Sequence, residues 1–234
     1  MIPWEPLDSA AVPGERRQLT LLRRGTEFVI RAGPVALMSS TAHGSEEALA
    51  ELACERIADR TDARVLIGGL GMGFTLAAAL RTLAPDARVV VAELIPAVVE
   101  WNRGPLAHLA DRPLADARVS VWEGDVADRI GGERATLDAI LLDVDNGPDG
   151  LTRATNDRLY SVPGLLGAFS ALRAGGVLGV WSVQPDREFA RRLTRAGFDV
   201  DERTVRARRA KGGRHTLWLA NRPGRLARDR DSGS

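Results

Sequence analysis

The chain has 234 residues, 44% hydrophobic and 27% charged, with a formal net charge of +1. That composition belongs to a folded globular protein and fits one sizeable domain with a small appendage. It carries no global field that would favour nucleic acid or membrane, no apolar run nears the roughly 18 residues of a span, and a lone Cys54 excludes an internal disulfide or a thiolate zinc site.

Residues 1–17 read as loose, broken by Pro3, Pro6, Pro13 and Gly14. They lack a charged start followed by an apolar core, so no signal peptide is expected and the expected compartment is the cytoplasm. "LTLLRRGTEFVIRAG" reads as two strands around a turn at Arg24–Gly25, with "PVALMSS" a candidate third. "SEEALAELACERIA" has helical spacing at Ala48, Leu49, Leu52, Ala53 and Ile57, with Ser45 as the expected N-cap and Glu46 and Glu47 in the first turn. Residues 1–60 are thus an N-terminal hairpin-and-helix appendage, and Cys54 on the helix is read as core.

From residue 64 the pattern alternates. Continuously apolar, β-branched strands are predicted at 64–68, 88–93, 118–123, 137–143 and 176–182, with helices at 73–83, 96–103, 125–131, 161–173 and 186–196. "DVDERTVRARRA" and "RHTLWLA", separated by "KGG", read as an antiparallel hairpin on the sheet edge. The fold class is α/β: a doubly wound, seven-stranded Rossmann-like sheet over 61–222, then a disordered tail at 223–234.

"VLIGGLGMGF" ends the first of these strands and opens a helix. Gly69, Gly71 and Gly73 allow positive φ and let a ligand lie on bare backbone. Glu93, at the end of the second strand and 20 residues past Gly73, is placed to accept from both ribose hydroxyls of a nucleoside. Gly124 and Asp125 follow the third strand; the carboxylate is placed to accept an adenine amino group, to cap the next helix, or both. That position and the terminal hairpin favour an adenosylsulfonium ligand over a dinucleotide. Asp143 ends the fourth strand at the rim where the sulfur would lie, placed to attract, orient and deprotonate an amine. "DVDNGPDG" is a loop, with Asp145 and Asn146 as candidates to face the acceptor.

These stretches, with "AELIPAVVEW", "EGDVAD" and "LDAILLDVDNGPDGLT…NDRLYS…GLLGAFSALRAGGVL", resemble the spermidine synthase family within the class I S-adenosylmethionine-dependent methyltransferase fold, over roughly residues 18–200. The resemblance implies that Glu93 holds the ribose, Asp125 the adenine and Asp143 the attacking amine. It implies that Asp145 gates the acceptor site, and it places Tyr160 of "LY" in the catalytic set. It also implies a donor of S-adenosylmethionine or its decarboxylated form, a small amine acceptor, a link to polyamine biosynthesis, no metal, and a homodimer, since the family commonly pairs.

Three departures matter. Met72 stands where the family's glycine loop has an aspartate, the carboxylate that would attract the free amine of the decarboxylated donor; an open helix N-terminus favours an anion instead. Only Val144 separates Asp143 from Asp145, where the family has two serines. "AHGSEE" (His43, Glu46, Glu47) only loosely matches the family's Tyr-His-Glu segment. Methyl transfer from S-adenosylmethionine is therefore ranked ahead of aminopropyl transfer.

Trp101 and Trp122 read as core, Trp122 with an adenine-side alternative; Trp181 is a candidate wall for a cationic acceptor. Arg203, Arg206, Arg208, Arg209, Lys211 and Arg214 on the hairpin offer phosphates a grip, the basis of an RNA-directed alternative. The favoured reading is a solvated edge whose charges block aggregation. A donor-binding member without activity is the third reading.

Overall fold

A computed structural model describes residues 2–13, 17–144, 158–208 and 212–224. The chain opens with a four-stranded antiparallel sheet, β1 (Glu5–Ala11), β2 (Gln18–Arg24), β3 (Glu27–Ala32) and β4 (Val35–Ser39), in that order. β1 corrects the expectation that residues 1–17 are loose. It is an edge strand with a register shift between Pro6 and Asp8, and Pro6 is tolerated because an edge leaves one side without ladder bonds. Asp8 of β1 also accepts the indole N–H of Trp101 at 2.7 Å, which fastens the small sheet to the rest of the molecule. The β2–β3 turn falls at Gly25, whose φ of +61° needs a residue without Cβ.

The main sheet has seven strands: β5 (Arg64–Gly68), β6 (Arg88–Glu93), β7 (Val119–Glu123), β8 (Leu137–Leu142), β9 (Leu172–Ser182), β10 (Asp199–Arg206) and β11 (Arg214–Asn221). Their order is β10-β11-β9-β8-β5-β6-β7. β5 to β9 run parallel, while β11 is antiparallel to both β9 and β10. The winding reverses between β5 and β8, which opens a crevice beyond their carboxyl ends. β9 starts at Leu172, four residues before the strand expected from sequence.

The helices are α1 (Gly44–Cys54), α2 (Phe74–Thr82), α3 (Pro96–Arg103), α4 (Val126–Gly131), α5 (Val162–Ala171) and α6 (Arg187–Arg195). Period-two alternation sorts the apolar strands onto two faces. Val65, Ile67, Val91, Ala139 and Leu141 face Leu49, Leu76 and Val99 of α1, α2 and α3. Leu66, Ile140, Leu142 and Val180 face Val126, Leu165 and Phe189 of α4, α5 and α6. Cys54 is fully buried, and burial pushes its thiol up to about 12. Among the described residues no helix is long and apolar enough to cross a membrane.

Ser45 does not cap α1. His43 occupies the cap position without a side-chain bond, and the Ser45 hydroxyl lies 2.7 Å from Nδ1 of His215 on β11. The Gly44 amide donates to the Ala207 carbonyl at 2.8 Å, so tertiary contact with the C-terminal hairpin sets the start of this helix. At the opposite end of the sheet, buried Asp138 accepts from Arg60 at 2.5 Å, Arg173 at 2.9 Å and the Arg64 amide at 2.8 Å. That network is structural and far from the crevice.

Candidate active site

The glycine loop is built by close approach. Gly69 has φ +84°, and a Cβ there would lie 2.5 Å from the Asp143 carbonyl oxygen, so β5 and β8 exit side by side only because that position is bare. Its amide donates to the Ala92 carbonyl, and the Asp143 amide donates to the Gly68 carbonyl. Gly71 has φ +54°, with Met38 against it; Gly73, at φ +83°, takes the N-cap position of α2. Asn102 of α3 holds the loop from behind: its buried amide donates to the carbonyls of Gly71 (2.8 Å) and Val98 (2.9 Å).

Glu93 ends β6 facing this loop. One carboxylate oxygen accepts the Leu70 amide and the other the Ile95 amide, both at 2.9 Å. The side chain is 7% exposed and fixed in orientation by the two loops it joins. Asp125 caps α4 by accepting the Ala127 amide at 2.9 Å, with its second oxygen 3.8 Å from Arg158. Asp143 accepts the Thr75 hydroxyl at 2.6 Å. Burial pushes its carboxyl up to about 6, opposed by that hydrogen bond.

Gly69, Gly71, Glu93, Gly124, Asp125 and Asp143 line one cleft. Its opposite wall comes from the N-terminal sheet, through Leu19, Ile30, Ala32, Leu37 and Met38, with Val12 and Arg17 from the β1–β2 connection also lining it. The cleft is therefore mostly apolar, with convergent carboxylates and bare backbone at one side, the usual make-up of a small-molecule site.

Not every expected residue is there. Met72 is 1% exposed and its side chain is turned into the core, because the positive φ on both sides swings it away from the cleft. Gly73 shapes the start of α2 and does not line the wall. Tyr160 is 2% exposed, edge-on to Phe189 at 5.5 Å, on the α5–α6 face of the sheet. Tyr160 is not among the residues lining the cleft; its ring packs in the second core, which also holds the cleft-lining Ala92 and Val126. Asp145 and Asn146, and the tail from 225, lie outside the described residues.

Trp101 is core, and Trp122 packs half-buried beside Gly124. Sequence reasoning missed Thr75, Asn102 and the contribution of the N-terminal sheet. Thr75 sits two residues past the last loop glycine, the one hint available. Among the described residues no group of three or more His, Cys, Asp or Glu is placed to hold a metal ion.

The sequence matches no family model and no curated protein. The fold, by contrast, has close counterparts. A spermidine synthase from Thermotoga maritima superposes with a TM-score of 0.74 at 17% identity, over 93% of this chain and 72% of that one. The chain has the spermidine synthase fold. A spermidine synthase in complex with the transition state analogue AdoDATO gives 0.73 at 16% identity, again over 93% and 72%. A probable spermidine synthase from Corynebacterium glutamicum gives 0.64 at 16%, over 93% and 79%. An O-methyltransferase family protein from Burkholderia thailandensis gives 0.56 at 19%, over 79% of this chain and 57% of that one. The spermidine synthase fold accounts for the small sheet as well as the seven-stranded one, since the first three matches extend over nearly the whole chain.

Proposed function

We propose that this protein is a transferase that moves a small alkyl group from an adenosylsulfonium donor to an amine-like small molecule. The observation that carries this reading is the convergence of Glu93 and Asp143 on one cleft, either side of the Gly69–Gly71 backbone. Glu93 takes the ribose hydroxyls, Gly124 and Asp125 border the base, and the apolar wall of the small sheet shields the donor from water. An amine approaches the sulfonium carbon beside Asp143. The C–S bond breaks with its electron pair going to sulfur, which leaves a neutral thioether. The N–C bond forms, and the nitrogen's proton passes to the Asp143 carboxylate. Holding the two reactants in line supplies up to about 7–11 kcal/mol, and proton transfer to a positioned base about 10²–10⁴-fold.

S-adenosylmethionine as methyl donor is the first reading. Arg17 adds a cation to the residues lining the cleft, which suits a donor that keeps its carboxylate. Aminopropyl transfer from the decarboxylated donor is the second, favoured by the higher fold similarity to spermidine synthases and by the AdoDATO complex among them. An RNA acceptor has less support: Arg208 is tied to Thr41 and Arg203 to Asp201, while Arg209 and Lys211 lie outside the described residues.

Calorimetry with both donors tests the order. Binding of S-adenosylmethionine supports the first reading, and binding of the decarboxylated donor alone reverses it. Failure of both to bind removes the transferase.

A further inference from the structure

Met38 of β4 covers part of the glycine loop. A Cβ at Gly71 would lie 2.9 Å from its Sδ and 3.2 Å from its Cε, and both residues line the cleft. The thioether therefore rests against the side of Gly71 that a side chain would take.

A β-bulge puts it there. β3 and β4 pair Ala32 with Val35 and Arg31 with Ala36, but then Ile30 with Met38, so Leu37 is the extra residue. Directly paired residues share a face of a sheet. Without the bulge Leu37 would stand opposite Ile30, and Met38 opposite Val29 on the other face. With it Met38 joins Ile30 on the cleft side, and Leu37 and Met38 both line the cleft although they are neighbours in sequence.

The backbone is held on both sides of this contact. Past Met38, the Ser40 amide donates to the Phe28 carbonyl and the Phe28 amide to the Ser40 hydroxyl, both at 2.9 Å. Across the cleft, Asn102 donates to the Gly71 carbonyl at 2.8 Å. What is free to move is the Met38 side chain, half-buried and unbranched, with three rotatable bonds.

The sulfur of the donor carries three groups. Its 5′ carbon is set by the ribose at Glu93, and the group to be transferred points to Asp143. Gly69 packs against Asp143 and the Leu70 amide donates to Glu93, so the loop between those two acids continues into Gly71. The third group stays on sulfur. It is a methyl in 5′-methylthioadenosine, left by aminopropyl transfer, and the aminocarboxypropyl chain in S-adenosylhomocysteine, left by methyl transfer.

We propose that Met38 is a specificity-determining residue that reads the size of the group retained on the donor's sulfur. Seated on Gly71 it leaves room for a methyl, and it swings off the loop to admit the longer chain. This rests on the transferase reading. Entry of S-adenosylmethionine as a methyl donor is then coupled to a rotamer change of Met38, whereas an aminopropyl donor binds with Met38 in place.

The test is calorimetric titration of 5′-methylthioadenosine and S-adenosylhomocysteine into the full chain as wild type, Met38→Ala and Met38→Leu, with thermal melting to confirm folding. Met38→Ala should tighten S-adenosylhomocysteine roughly 10-fold, the order of no longer having to unseat one half-buried apolar side chain. It should leave methylthioadenosine within about threefold of wild type, and Met38→Leu, close in volume, should keep the ratio of the two affinities within about threefold. The methyl resonance of Met38, one of three methionines, is a second readout on wild type itself: S-adenosylhomocysteine should displace it further than methylthioadenosine does. An affinity ratio unchanged in Met38→Ala, or a Met38 resonance moved equally by the two nucleosides, overturns the role of Met38 while methylthioadenosine binding keeps the transferase reading. Failure of both nucleosides to bind any of the three proteins overturns both.

Discussion

The Thr75 hydroxyl donates to the Asp143 carboxylate over 2.6 Å, joining the first turn of α2 to the end of β8. Burial alone would leave this carboxyl higher than about 6; the hydrogen bond stabilises its charged form. Thr75→Val keeps the shape and removes the donor. If Asp143 is the base, the acid limb of the pH–rate profile should move to a pH roughly one unit higher. A limb that stays in place would separate Asp143 from the proton transfer.

Asp143 also makes a prediction for stability, with a sign opposite to that of most carboxylates. Its folded value, about 6, lies above the ordinary 3.8, so the folded chain binds the proton more tightly than the unfolded one. Its contribution is most favourable below about pH 4 and is lost as pH rises through about 6. At pH 7.5 the ionised form costs about 3 kcal/mol at most. Asp143→Asn should therefore abolish turnover yet raise the denaturation midpoint at pH 7.5, with the gain shrinking toward pH 4. A variant less stable than wild type at pH 7.5 contradicts this account.

Asn102 is expected to matter although it does not line the cleft. Its amide satisfies two carbonyls, one of them in the glycine loop. Asn102→Ala leaves both without that donor and should cost about 1–3 kcal/mol in urea unfolding. Nucleoside affinity should fall as well, because Gly71 is no longer held. Lost stability with unchanged affinity would make Asn102 a fold residue only.

The seven-stranded sheet was legible because strands covered on both faces leave continuous apolar runs such as "LDAILL", and the glycines that punctuate them mark real positive-φ positions. β1 was not, because "EPLDSAA" has a proline and little β-branching; it is held by pairing to β2 and by Trp101, 93 residues from Asp8. Tyr160 shows what matching motifs by position leaves open. The "LY" pair can be aligned, but position alone does not say that the ring packs against Phe189 in the second core. Glu46 reads in sequence as an acid suited to a helix dipole; its burial, which raises its carboxyl, comes only with the docking of α1. Thr75 is hidden in the same way, 68 residues from its partner.

In the proposed function the cleft clasps an adenosyl thioether or sulfonium through Glu93. The most direct measurement is calorimetric titration of 5′-methylthioadenosine into wild type and Glu93→Ala. Wild type should bind, and the variant should lose roughly 100-fold or more, the cost of removing a buried carboxylate that faces two hydroxyls. No binding by wild type, or equal binding by the variant, would contradict the account.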